Sequence, residues 1–185
     1  MIMYIIIAIW IILVHHYTTV HTKCKITLNI LGEKEADCTY QGFTSVPTNL
    51  PPDLKKLDLS SNRLTRLGAN SFHRYKYPAH LLLDNNIISY LDAKAFIGLT
   101  LLRQLSMVRN QLSIWYQPGV FVSLQNLSAL DVSRNMNTAD HCDKYNIPVG
   151  ELCNLRELSI DHVLNATFGE QFKKLHNLQK LRFDN

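Results

Sequence analysis

The stretch LKKLDLSSNRL, residues 54–64, sets Leu54, Leu57, Leu59, Asn62 and Leu64 in the spacing LxxLxLxxNxL. The frame returns 24 residues later as PAHLLLDNNII, with Leu81, Leu83, Asn86 and Ile88, and with Pro78 in the first slot. After another 24 comes LRQLSMVRNQL (Leu102, Leu105, Met107, Asn110, Leu112), and then LSALDVSRNMN (Leu127, Leu130, Val132, Asn135). LRELSIDHVLN supplies Leu155, Leu158 and Ile160, and LQKLRFDN opens a sixth copy with Leu178, Leu181 and Phe183. A fixed period in the range of 20–50 residues marks a stack of repeated units. Within a unit, Leu57 and Leu59 alternate with polar Lys56, Asp58 and Ser60. That is the period-2 pattern of a strand with one buried face. Phe72, Phe96, Phe121 and Phe172 recur in the second half of four units, with Leu67, Leu91, Leu99 and Leu124 nearby. There the chain must return to begin the next strand, and these side chains are expected to plug the return into the same core.

This spacing is the leucine-rich-repeat signature. The expected fold is an α/β solenoid: a leucine-rich-repeat horseshoe segment with short parallel strands on its concave face and an N-terminal cysteine cap. The expected division is a leader at 1–22, a cap at 23–53 and repeats over 54–185. The units run 54–77, 78–101, 102–126, 127–154 and 155–177, with 178–185 incomplete. One unit cannot bury its own apolar face; stacked neighbours make the core continuous. Asn62, Asn86, Asn110 and Asn135 follow the strands, where a sharp bend strands backbone N–H and C=O groups. A buried carboxamide satisfies both kinds at once, so the reading is a structural ladder and not a ligand contact.

Composition agrees with a folded extracellular chain and narrows its partners. The 185 residues are 46% apolar and 18% charged, with 28 leucines, so disorder is excluded. Seven Gly and six Pro exclude a collagen-like chain. A net charge of +4, with no Lys/Arg run longer than two, does not describe a dedicated nucleic-acid binder. The first 14 residues, MIMYIIIAIWIILV, carry no charged side chain. That run is shorter than the ~20 residues a spanning helix needs and suits a signal peptide, cleaved near Val20-His21-Thr22; a retained signal anchor is the competing reading. No later apolar span is present in the sequence. All four cysteines lie beyond this segment, and an even count in an oxidising compartment reads as a disulfide framework. Of three pairings, the local pairs Cys24–Cys38 and Cys142–Cys153 are favoured, because a long ordered stretch separates the two groups.

Strand residues pointing outward define a candidate ligand surface: Lys56, Asp58, His80, Gln104, Asp131, Glu157, Lys180 and Arg182. Both charge signs mix there without the aromatic–basic interleaving of single-strand binders or a duplex-reading basic stripe. Protein or glycoconjugate ligands are therefore expected. The sequons Asn126-Leu-Ser and Asn165-Ala-Thr are candidate glycosylation sites. The fourth unit carries the insertion NTADHCDKYNIPVGELC, read as a candidate specificity loop, and Val163 replaces the ladder Asn of the fifth. His141-Cys142-Asp143 does not make a nucleophilic triad, since its members are consecutive. With no phosphate loop or zinc-hydrolase motif either, neither an enzyme nor any metal or cofactor is expected.

Upstream of the first unit stands CKITLNILGEKEADCTYQGFTSVPTNLPPDLKKLDLSSN. Its cysteine pair around a hairpin, with Gly42-Phe43, Val46-Pro47 and Leu50-Pro51-Pro52, looks like an N-terminal repeat cap. With 24-residue units of the LxxLxxxxF type, Cys24 to Asn185 resembles the membrane-distal end of a Toll-like receptor ectodomain. The resemblance implies an innate immune receptor whose ectodomain recognises ligands, dimerises in the full-length protein and signals through a cytoplasmic TIR domain. This sequence contains neither TIR motif nor C-terminal cap and ends before the sixth Asn slot. The expectation is a truncated, non-signalling, secreted or extracellular segment. A short secreted structural or adhesion protein built from the same repeats is the alternative.

Overall fold

The structure, a computed structural model, describes residues 24–112, 118–135, 144–145, 147–162 and 167–184. A hairpin of β1 (Lys25–Leu28) and β2 (Lys34–Asp37) opens the chain, turning at Gly32, whose φ of 74° is a conformation only glycine adopts freely. Then come β3 (Lys56–Asp58), β4 (Arg66–Leu67), β5 (His80–Leu82), β6 (Tyr90–Leu91), β7 (Gln104–Ser106) and β8 (Ala129–Asp131). The C-terminal part holds β9 (Lys144–Tyr145), β10 (Glu157–Asp161), β11 (Thr167–Phe168), a 3-10 helix over Glu170–Lys174, and β12 (Lys180–Asp184). Eight strands form one sheet in the order β1-β2-β3-β5-β7-β8-β10-β12. Every pair in it is parallel except the capping hairpin.

The register follows the sequence frame. Leu57 pairs with Leu81, Leu81 with Leu105, Leu105 with Leu130 and Leu130 with Leu158. All five are buried, as are Leu59, Leu83, Met107, Val132 and Ile160 in the next inward column. A chain that runs each strand in the same direction must come back outside the sheet. Among the described residues it does so through turns, the short β4–β6 and β9–β11 pairs and the 3-10 helix. The returns are pinned by a stack of rings: Phe72 lies 5.9 Å from Phe96, which lies 6.1 Å from Phe121, nearly parallel in each case. Phe172 packs 4.8 Å from Phe168 and is only partly buried. The fourth unit contributes buried Ile147, Val149 and Leu152 to the core.

The cap is closed by a Cys24–Cys38 disulfide, with Cys38 fully buried. Where later units carry a leucine, the first places Tyr75, which is buried and donates its hydroxyl hydrogen to the Pro47 carbonyl of the cap. One side chain thus ties the first return segment to the cap that covers it. No helix among the described residues is long and apolar enough to cross a membrane. The leader 1–22 lies outside the described residues.

Candidate ligand-binding face

Parallel registration turns the outward positions of each strand into rows. Lys56, His80, Gln104, Ala129, Glu157 and Lys180 pair in one row. Asp58, Leu82, Ser106, Asp131, Ser159 and Arg182 pair in the next. The eight residues named from the sequence therefore fall on two neighbouring rows, each at least partly exposed. Local contacts join some of them: the His80 ring Nδ1 lies 3.0 Å from Gln104 Oε1, and Arg182 pairs with Glu157 at 3.2 Å. Ser106 and Ser159 lie in the same rows but are buried, so the face is not uniformly accessible.

Acids gather at the C-terminal ends of the strands, and of these the sequence-based surface names only Asp58 and Asp131. Asp37 and Asp58 close their strands, Asp131 does the same, and Asp84, Asp161 and Asp184 stand two residues further along the frame. Together they line the rim at the C-terminal ends of the parallel strands. Asp58 Oδ1 accepts from Ser60 N at 3.0 Å and Asp131 Oδ1 from Ser133 N at 3.1 Å. Thr39, both N–H and hydroxyl, donates to Asp37 and holds its carboxyl below the usual range, helped by Lys56 and Lys25. Asp84 goes the other way. Burial raises its pKa despite hydrogen bonds from Ser106 Oγ (2.6 Å) and Val108 N (2.8 Å), and the charges of Asp131 and Asp58 add to the rise. The signal was available in the sequence as a recurring acid beside the buried hydrophobe, in LLLD, SID and RFD.

A raised native pKa fixes the sign of a pH effect. Asp84's contribution to stability is fully present below its unfolded value near 4 and is lost as pH rises through the higher folded value. At neutral pH the charge is a burden. Asp84→Asn keeps an acceptor for Ser106 and Val108 and removes that charge. We expect the variant to match or exceed the native chain in urea midpoint at pH 7, with the difference vanishing by pH 3.

Behind the face, each ladder Asn is buried and fully engaged. Asn86 Oδ1 accepts from Leu64 N at 3.0 Å, while its Nδ2 donates to the carbonyls of Leu59 and Leu83, both at 3.0 Å. Asn110 repeats this with Ile88 N, Leu83 O and Met107 O. Asn135 repeats it with Leu112 N, Met107 O and Val132 O. Asn62 serves the cap instead, accepting from Gln41 N and Phe43 N and donating to Cys38 O. The residue before each ladder Asn adopts positive φ: Ser61 57°, Asn85 53°, Arg109 54° and Arg134 59°. Such a conformation is uncommon outside glycine, and no sequence preference flagged it. In the fifth unit, where Val163 lies outside the described residues, the Asp161 carboxylate accepts from Arg134 N and from Asn135 N. An aspartate side chain thus takes the Arg134 N–H at the position where Asn85 N and Arg109 N meet backbone carbonyls of the next unit.

Of the remaining predicted positions, Asn126 is exposed and donates Nδ2 to Thr100 O at 2.8 Å. Asn165 and Cys142 lie outside the described residues. Cys153 is an exposed free thiol, so the structure does not form the Cys142–Cys153 bridge expected from the sequence. Among the described residues no group of three or more His, Cys, Asp or Glu is placed to hold a metal.

Fold and repeat spacing together define a leucine-rich-repeat solenoid with a disulfide-closed N-terminal cap. Residues 52–112 match the family described as Leucine rich repeat. The chain is 33% identical over 129 residues to transforming growth factor beta activator LRRC32 of Mus musculus, covering 69% of this chain and 19% of that protein. It is 34% identical over 82 residues to Toll-like receptor 3 of Homo sapiens, covering 44% of this chain and 8% of that protein. In the crystal structure of a TLR13–ssRNA13 complex, one chain matches with a TM-score of 0.65 at 24% identity, over 88% of this chain and 23% of that one. At that identity the likeness speaks for the fold. The chain spans 8–25% of the length of the curated relatives it matches.

Proposed function

We propose that this chain is the extracellular ligand-recognition segment of a Toll-like innate immune receptor, binding a protein or glycoconjugate through its solenoid surface and not signalling by itself. The observation that carries the reading is the pairing of a disulfide-closed cap with registered rows of accessible polar side chains on the strand face. A formed disulfide is the chemistry of an oxidising compartment, which supports segment 1–22 as a signal peptide and an extracellular location. Similarity to Toll-like receptor 3 over 82 residues supports the receptor class. In this reading Asn126 and Asn165 carry glycans, and dimerisation belongs to the full-length receptor.

The second reading is a short secreted repeat protein of structural or adhesive role, without immune function. The transcript beyond residue 185 separates the two. A transmembrane span followed by a TIR domain is the expected result; a stop soon after a capping repeat overturns the receptor reading.

A further inference from the structure

Among the described residues β1 is the outermost strand of the eight-stranded sheet, with a neighbour, β2, on one side only. Asn29 N donates to Glu33 O across the hairpin, so the odd-numbered residues of β1 turn their backbone groups toward β2. The N–H and C=O of Ile26 and Leu28 therefore face outward along the free edge. Edge strands are commonly blunted by proline, by a bulge or by charges along their length; β1 reads KITL, with a single charge at its start. Its four residues are all exposed, Ile26 at 40% and Leu28 at 65%. The turn beyond them is ordered by polar groups: Asn29 Oδ1 accepts from Leu31 N and Glu33 N, and Asn29 Nδ2 donates to Glu33 Oε2. Its tip is nevertheless Ile30, fully exposed, and Leu31, exposed at 76%. Neither side chain makes the turn, and both are apolar in water. Contiguous exposed apolar side chains of this kind mark contact with another surface.

This edge is complementary to itself. Laid antiparallel against a second copy about a two-fold axis at Thr27, β1 sets Ile26 opposite Leu28 of the other copy, and Leu28 opposite the other Ile26. Both positions face outward, so the two strands exchange four backbone hydrogen bonds. A slip of one residue would set outward groups against inward ones and lose all four. The same register gathers the four apolar side chains on one face. On the opposite face Lys25, whose neighbour on β2 is Asp37, comes opposite Asn29 of the other copy, whose own neighbour across the hairpin is Glu33. Each lysine thus falls between two carboxylates. A lipid surface fits less well: Glu33 sits beside the tip, and nearby Lys34 is already paired with Asp53 at 2.7 Å.

We infer that the cap is a contact between two copies of this chain, joined edge to edge through antiparallel β1 strands into one continuous sheet with the solenoids end to end. The interface is isologous, each copy offering the same strand. A four-residue strand and its turn fall short of the roughly 20–30 residues a side of a standard interface. The dimer is therefore weak, with a dissociation constant on the order of 10–100 µM. It depends on the cap alone and is separate from the dimerisation assigned above to the full-length receptor.

Analytical ultracentrifugation of the purified chain should show a reversible monomer–dimer equilibrium in that concentration range. Leu28→Lys and Ile30→Lys, both at exposed positions, should each weaken it at least about fivefold, about 1 kcal/mol, with thermal melts unchanged. Phe183→Lys, on β12 at the opposite edge of the sheet, should leave it intact. Register is read by oxidative cross-linking in a Cys142→Ser, Cys153→Ser background. Two Thr27 residues facing each other have Cα atoms about 4.5 Å apart, which a disulfide spans. Ile26 or Leu28 meets its own counterpart only on a diagonal of about 7–8 Å, which a disulfide does not span. Thr27→Cys should therefore cross-link at least about tenfold faster than Ile26→Cys or Leu28→Cys. A chain that stays monomeric, dimerisation lost in Phe183→Lys but not in Leu28→Lys, or equal cross-linking at the three positions overturns the inference. So does binding of the monomer to phosphatidylcholine–phosphatidylserine vesicles that Ile30→Lys abolishes, which would make the tip a membrane contact. None of these outcomes depends on what the transcript encodes beyond residue 185, so this inference and the receptor reading fail separately.

Discussion

Phe96→Ala is expected to destabilise the protein by about 3–5 kcal/mol, the range for emptying a fully buried aromatic site. The ring is fully buried and has a stacked neighbour on each side, Phe72 and Phe121. Removing it leaves a cavity lined by two rings that belong to different units. Those rings are fixed by return segments whose backbones cannot approach, because strand register sets the spacing of the turns. Little collapse is available, so the loss should sit at the upper end of the range. In a stack whose stability depends on nearest-neighbour interfaces, a defect at the centre weakens two interfaces at once. Urea unfolding followed by far-UV circular dichroism should show the midpoint falling, with greater loss than for Phe172→Ala. Phe172 is the control because it is only partly buried, with Phe168 against its ring. Equal effects of the two substitutions would mean that the phenylalanine stack is not what holds the returns.

Asn110→Ala should cost at least about 3 kcal/mol, for a different reason. The carboxamide accepts from Ile88 N and donates to Leu83 O and Met107 O, three buried backbone groups from two successive units. Water cannot replace these bonds where the side chain is about 8% exposed. Each buried group left unpaired costs about 1–3 kcal/mol. Asn110→Asp is the sharper comparison. It keeps the acceptor for Ile88 N but turns the donor into a charged oxygen facing two carbonyls, so it should be no better tolerated than alanine. A thermal melt of either variant indistinguishable from the native chain would remove the ladder from the account of stability. Exposed Gln111, next in sequence, is the matching site where alanine should change little.

How much of this was readable beforehand differs by element. The strand columns were legible because burial on one face imposes a period of two, and the 24-residue return imposes the longer one. The ladder and the phenylalanine positions were legible because the same residue types recur at fixed offsets. The fourth and fifth units were less so. An insertion breaks the offset, and the turn after β8 is held by the Asp161 carboxylate, which comes from a full unit later in the chain. Tyr75 has no place in the recurring pattern. Its bond to Pro47 joins groups 28 residues apart and has no counterpart in other units to betray it.

The sequence by itself determined the repeat, its phase, the inward columns and the outward rows, since each is a matter of period and residue type along the chain. Tertiary structure decided what those rows become when strands lie side by side. Whether Asp58, Asp84 and Asp131 repel one another, or whether Arg134 in a left-handed turn meets Asp161, is set by register between units. Register is a distance of a few ångströms between residues some 25 positions apart. Hydrophobic patterning states which face a residue takes; only stacking states which charge stands next to it.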